Sequence, residues 1–98
     1  MTDSKSNRLF QLFLHSDLKY RAVWKENRIV AIEVCRNFRR PREINNLNPI
    51  LSEEQRKAIA DVLGEEEPMN LGEEDLTATD EVWGLNFTLP TIRFTKRK

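Results

Sequence analysis

The segment 18–36 constrains the fold more than any other part of the chain. Its two runs, LKYRAVW and IVAIEVC, are rich in β-branched and aromatic residues, and only KENR separates them. Runs of this composition favour β-strands. Asn27 tolerates the positive φ angle of a tight turn, although the usual glycine is absent. The sequence therefore predicts a β-hairpin with Glu26 and Asn27 as its two-residue loop.

This loop fixes which side chains share a face of the hairpin. On the face that we expect to meet the core, it pairs Trp24 with Ile29, Ala22 with Ala31, Tyr20 with Glu33, and Leu18 with Cys35. On the other face, it pairs Lys25 with Arg28, Val23 with Val30, Arg21 with Ile32, and Lys19 with Val34. A one-residue slip would bury the charges of this second face, so the hydrophobic pattern itself selects the register.

Residues 53–63 carry the signals of a helix. Ser52 is a good N-cap, and Gln55 three positions later completes a capping box. Gly64 supplies the left-handed residue that ends many helices. The apolar stripe consists of Ile59, Val62 and Leu63.

Two further runs are apolar. The first, residues 9–15, has apolar positions that suit a helical face and a length that suits a buried strand, and we favour the strand. The second, residues 83–94, alternates as a strand does, and Pro90 allows an edge strand or a bend there. The predicted fold is α+β: a small, mostly antiparallel sheet of three to five strands around hairpin 18–36, with helix 53–63 packed on one face.

The remaining segments are polar, and the whole chain is expected to form one domain over residues 1–98. Residues 1–7 are expected to be a frayed leader, residues 65–81 an acidic loop, and residues 95–98 a basic tail. Residues 37–51 contain prolines and asparagines that break regular structure, and they are also expected to be a loop.

The net charge of zero hides a polarised chain. Residues 1–49 hold ten basic and five acidic residues, whereas residues 50–98 hold six basic and eleven acidic ones. In RNFRRPR, residues 36–42, four arginines surround a phenylalanine. Guanidinium groups suit carboxylates and phosphates, and an aromatic ring can stack on a base. The candidate partner-binding residues are therefore Arg36, Phe38, Arg39, Arg40, Arg42, Lys19, Arg21, Lys25 and Arg28.

Three other roles for these charges stay open. Basic side chains on strands often serve only to prevent edge pairing. The acidic segment 64–75 could clasp the arginines of the same chain, which would explain a neutral total with polar halves. The same complementarity could instead act between two copies.

Catalytic and metal-binding patterns are missing from the sequence. One histidine, His15, and one cysteine, Cys35, are too few for a structural zinc site, and we expect Cys35 to be buried and inert. His15, Ser16 and Asp17 would not converge on a strand, so a turn explains the last two better. The acidic segment lacks the pattern of a calcium loop, and no glycine-rich phosphate loop is present. We therefore expect no enzyme, no cofactor, no metal and no small-molecule substrate.

The leading hypothesis is a cytoplasmic interaction or regulatory protein, an adaptor that binds a protein partner or itself through opposed basic and acidic patches. A single cysteine and no apolar run of membrane-spanning length support that setting. The alternative is a nucleic-acid-binding accessory protein that uses segment 36–42 and the basic hairpin face. No known nucleic-acid-binding motif supports the alternative, and the pI near 6.6 is low for a dedicated binder.

Overall fold

The computed structural model describes residues 4–37, 48–64, 71–78, 83–84 and 88–96. Its elements in chain order are α1 (Ser4–Leu14), β1 (Leu18–Lys25), β2 (Arg28–Arg36), α2 (Glu53–Leu63), β3 (Leu71–Ala78) and β4 (Leu89–Lys96). The four strands form one antiparallel sheet in the order β1-β2-β4-β3. The α+β fold class predicted from the sequence is confirmed, including the hairpin and a helix packed on the sheet.

The hairpin turn has the predicted two-residue loop. Glu26 and Asn27 have φ angles of 53° and 65°, the left-handed conformation that a type I′ turn requires at both positions. The two pairs nearest the turn are also as predicted: Trp24 with Ile29, and Lys25 with Arg28.

A β-bulge between Val23 and Trp24 makes the predicted pairing of the rest of the hairpin wrong. From Val23 back to Leu18, each residue of β1 pairs with the β2 residue one position after the predicted one. The observed pairs are Val23 with Ala31, Ala22 with Ile32, Arg21 with Glu33, Tyr20 with Val34, Lys19 with Cys35, and Leu18 with Arg36. The extra residue in β2 reverses which of its side chains share a face with a given side chain of β1. The core face therefore carries Leu18, Tyr20, Ala22, Ile32 and Val34.

Trp24 shares its face with Ala22 and pairs with Ile29, as predicted, but the expectation that it meets the core is wrong. Its side chain is 62% exposed, and the next four residues are exposed as well. The tip of the hairpin therefore projects beyond the core, and the indole stays in solvent.

The main core lies between one face of the sheet and the two described helices. Phe94 of β4, Ile32 of β2 and Ile59 of α2 are each 0% exposed. Leu9 and Phe13 of α1 are buried in the same cluster. We call the opposite surface of the sheet the far face.

The helix α2 confirms its predicted limits and caps. The hydroxyl of Ser52 accepts a hydrogen bond from the Gln55 amide at 3.2 Å, and the Ser52 amide donates to the Gln55 side chain at 2.9 Å. Gly64 ends the helix with a φ of 89°. The Gln55 side chain is buried and also donates to the carbonyl of Leu12 at 3.1 Å, which joins α2 to α1.

The strand favoured for residues 9–15 is wrong over 9–14, which belong to α1. The frayed leader expected at 1–7 is wrong over 4–7, which also belong to α1, and residues 1–3 lie outside the described residues. The helix buries Leu9 and Phe13 on one side. The carbonyl groups of Leu12 and Phe13 in its last turn both accept hydrogen bonds. Phe13 accepts hydrogen bonds from the amide and hydroxyl of Ser16. The predicted turn at Ser16 and Asp17 is confirmed.

The predicted acidic loop at 65–81 is wrong over 71–78, which form β3. Pairing with β4 uses backbone groups, and a strand at the edge of a sheet tolerates exposed acidic side chains. Residues 65–70 and 79–81 lie outside the described residues. The predicted basic tail is wrong at residues 95 and 96, which belong to β4, and residues 97–98 are not described.

The strand predicted to start near Trp83 begins at Leu89, while residues 85–87 lie outside the described residues. The strand β4 is interior, yet Pro90 is tolerated because pairing with β2 extends only to Thr91. Neither of the two described helices is long and apolar enough to cross a membrane.

Candidate interaction surfaces

Four side chains of alternating charge cross the far face of the sheet. Strand pairing places Arg21 beside Glu33, Glu33 beside Arg93, and Arg93 beside Glu74, so the row contains one residue from each strand. We call this row the charge ladder. Because opposite charges directly across a strand pair are favourable, the ladder helps to fix the register of the whole sheet.

Glu33 is the centre of the charge ladder. Its side chain is only 4% exposed. One carboxylate oxygen accepts a hydrogen bond from Arg21 at 2.5 Å, and the other accepts two from Arg93 at 3.0 and 2.8 Å. Burial alone would raise the pKa of Glu33, but the hydrogen bonds and charges of the two arginines outweigh it and lower the pKa. The carboxylate is therefore charged at neutral pH and holds both guanidinium groups.

The nine candidate binding residues thus have different environments. Arg21 is bound by Glu33. The ammonium group of Lys19 donates to the carbonyl of Trp83 at 3.3 Å and lies 5.6 Å from the centroid of its ring. Lys25 and Arg28 are exposed on either side of the turn. Arg36 is partly buried at the end of β2, and four residues lie outside the described residues: Phe38, Arg39, Arg40 and Arg42.

A cleft of about 210 Å³ lies between the end of α1 and the start of β1. We call it the α1–β1 cleft; its lining residues are Phe10, Phe13, Leu14, Leu18, Lys19, Tyr20 and Asn37. The rings of Phe13 and Tyr20 pack at 4.8 Å between centroids and form part of its wall. Phe10 and Leu14 are 47% and 44% exposed. The cleft is therefore apolar, with Lys19 as its one cation among the described residues.

A second cleft of about 280 Å³ shares Leu18 with the first. It includes Ile50, which is 72% exposed, together with Arg36 and Asp17. The second cleft is more polar than the first, because Ser16, Asn48 and Gln55 also line it.

Sequence reasoning missed Phe10, Leu14 and Ile50 as surface residues. The signal was available for the first two, because positions four apart lie on the same side of a helix. The prediction of a strand over residues 9–15 conceals it. Ile50 stands in a predicted loop, and nothing in the sequence indicates that it lines the same cleft as Leu18.

The charge asymmetry along the chain becomes an asymmetry across the sheet. The strand β1 carries Lys19, Arg21 and Lys25, and it lies at one edge. The strand β3 carries three consecutive acids at the other edge, Glu73, Glu74 and Asp75. Glu73 forms an ion pair with Arg56 of α2. Glu74 stands opposite Arg93 in the strand pairing. The predicted clasp of the acidic segment on residues 36–42 falls largely outside the described residues.

Cys35 has the environment of an unreactive thiol. It is 0% exposed, although the bulge places it on the far face and not, as predicted, on the core face. Burial raises the pKa of this thiol to about 11, against a smaller opposing effect of Lys19. Thiolate is therefore scarce at neutral pH. Among the described residues, no cluster of three or more metal-ligating side chains is present.

Comparisons of this chain with protein families, with curated proteins and with solved structures find no match.

Proposed function

We propose that this chain is a non-enzymatic interaction domain that binds a protein partner at the α1–β1 cleft. The observation that carries the proposal is the grouping of two exposed apolar side chains, Phe10 and Leu14, along one cleft. Contiguous exposed apolar surface on a small domain commonly marks an interaction site. Neighbouring cations favour a partner with acidic groups around its apolar contact.

The size of the cleft supports a protein side chain as its occupant. Its volume of about 210 Å³ is below the ~300–1,000 Å³ of typical small-molecule pockets. A protein partner can insert one apolar anchor there while an acidic residue beside that anchor meets Arg36, which lines the adjoining cleft. Burial raises the pKa of Tyr20, so its hydroxyl stays protonated and can donate a hydrogen bond to such a carboxylate. With a single cysteine in the sequence, we place this activity in the cytoplasm.

The nucleic-acid alternative has less support. Of the four hairpin cations, Arg21 is held by Glu33 and Lys19 by the carbonyl of Trp83. Lys25 and Arg28 alone make a small electrostatic footprint for a phosphate backbone. The arginines of segment 36–42 beyond Arg36 stay a prediction from the sequence.

Selection of binding peptides from a random library tests the proposal. We expect enrichment of peptides with an aromatic or large aliphatic residue flanked by Asp or Glu. The double variant Phe10→Ser, Leu14→Ser should bind them about tenfold more weakly or worse, because loss of one interface anchor costs about 1–2 kcal/mol. Trp24→Ser is the matched control, since Trp24 is also an exposed apolar residue but lies outside the cleft.

Equal affinity of the wild type and the double variant would contradict the proposal, as would enrichment of basic peptides. A second pair of variants, Arg39→Glu with Arg40→Glu, tests the sequence-predicted arginines. Because the sequence predicts that both arginines lie in a loop, we expect melting to change little, by the ~0.5 kcal/mol or less that is usual for an exposed position, and binding of acidic peptides to weaken. Strong DNA or RNA binding with a log–log salt slope of several units would favour the alternative instead.

A further inference from the structure

The two outer strands of the sheet are matched in length and opposite in charge. Both β1 and β3 contain eight residues. The strand β1 carries only basic charges, at Lys19, Arg21 and Lys25, whereas β3 carries only acidic ones. An edge strand also presents a row of backbone N–H and C=O groups that can pair with another strand. Each edge is therefore a template whose charge selects the strand that joins it.

We propose that this chain associates head to tail with a second copy of itself, through antiparallel pairing of β3 of one copy with β1 of the next. The strand directions permit it without rotation of either copy. Successive neighbours in the order β1-β2-β4-β3 are antiparallel, so β3 runs opposite to β1. A second copy placed beside β3 in the same orientation thus continues the antiparallel sheet.

The charge ladder supplies the register of this contact. Within one copy, the ladder runs from Arg21 at the β1 edge to Glu74 at the β3 edge. Placing Glu74 opposite Arg21 of the next copy continues the alternation across the boundary on the far face. The same register aligns 18–24 with 71–77 and sets Asp75 opposite Tyr20 on the other face, where the phenol hydroxyl can donate to the carboxylate.

The charges reject the competing symmetric contacts. Pairing β1 with β1 would oppose basic side chains, and pairing β3 with β3 would oppose acidic ones, which is destabilising across strands. Charged edges ordinarily protect a sheet from such association. Pairing of β1 with β3 is the exception, because these two edges carry opposite charges. A head-to-tail contact of this kind leaves one unpaired β1 edge and one unpaired β3 edge on every dimer, so further copies can add at both ends.

Sedimentation velocity over a range of protein concentrations tests this proposal. In about 10 mM salt, where the Debye length is ~30 Å, we expect the mean mass to rise with concentration. In about 1 M salt, where that length is ~3 Å, the rise should largely disappear. NMR amide shifts that change with concentration should map to β1 and β3.

The double variant Glu74→Lys, Asp75→Lys should weaken association at least about tenfold, because it places like charges opposite Arg21 and its neighbours. Its β1 edge is intact, so it should also act as a chain terminator and lower the mean mass of wild-type assemblies when mixed with them. Glu53→Lys with Glu54→Lys is the matched control, since it changes the net charge equally on the exposed first turn of α2.

A wild type that stays monomeric at every concentration in low salt would overturn the proposal. So would association that the Glu74 and Asp75 variant leaves unchanged, or amide shifts confined to α1 with none in β3. The peptide-binding test stays distinguishable from this one, because its variants at Phe10 and Leu14 lie on α1, whereas Glu74 and Asp75 lie on β3, outside the cleft.

Discussion

Replacing Glu33 by glutamine should cost ~2 kcal/mol of unfolding free energy at neutral pH. Glu33 is buried and accepts three hydrogen bonds from two arginines. Hydrogen bonds to charged groups contribute about 1.5–3 kcal/mol each, but the side chains of Arg21 and Arg93 are 45% and 37% exposed. Water can therefore replace part of the loss, and we discount the sum accordingly. The expected decrease in Tm is about 8–16 °C.

The effect should depend on pH in a defined direction. The arginines lower the pKa of Glu33 in the folded protein, so the stabilisation is fully present above the unfolded-state pKa of about 4.3. It is lost as the pH falls through the lower folded-state value. Urea titrations should therefore show a constant difference between wild type and Glu33→Gln from about pH 7 to about pH 5, and a smaller difference in more acid solution.

Glu74→Gln is the matched control, because it makes the same chemical change at the exposed end of the charge ladder. It should stay within ~0.5 kcal/mol of wild type. If Glu33→Gln also stays within that range at pH 7, or if its cost is the same at pH 4 as at pH 7, the ion pairs do not stabilise the sheet as described.

Three further predictions concern the core and its connections. Phe94→Ala should cost ~3–5 kcal/mol in denaturant titration, because Phe94 is fully buried, whereas Trp24→Ala should cost less than ~1 kcal/mol; the reverse order would place the core elsewhere. Cys35 should react slowly with a thiol reagent in the native protein and quickly in urea, and rapid native labelling would contradict its burial. Gln55→Ala should cost ~1–2 kcal/mol, because it removes both the capping bond to Ser52 and the hydrogen bond to the carbonyl of Leu12. It should also speed amide hydrogen exchange in α1, and unchanged exchange would show that α1 does not depend on the bond to Leu12.

The sequence predicts where the two strands of the hairpin lie, but it does not predict which of their side chains share a face. Two strand-forming runs around a two-residue loop determine that β1 and β2 pair. The bulge between Val23 and Trp24 has no clear sequence signal, such as a glycine, and a single extra residue exchanges the faces of all that follows. This is why Cys35 and Glu33 lie on the far face although the alternation predicts them in the core.

The candidate site was harder to predict than the fold. Charge composition indicated a polarised surface, and the sheet order shows how the basic and acidic halves come to lie at opposite edges. The α1–β1 cleft depends on residues 9–15 being a helix, and a run that short is ambiguous from periodicity alone. Only packing against α2 and the Gln55 bond to Leu12 resolve it.

Local features whose causes lie within a few residues follow from the sequence alone. These are the turn at Glu26 and Asn27, the capping box that begins α2, and its glycine stop at Gly64. Features that depend on residues distant in the chain became evident only in the folded molecule. The strand β3 forms from an acidic segment because β4 supplies its hydrogen bonds, and Glu33 is buried as a charged group because Arg21 and Arg93 reach it from neighbouring strands. Long-range pairing of this kind leaves no local pattern, since the interacting residues come together only when the sheet has formed.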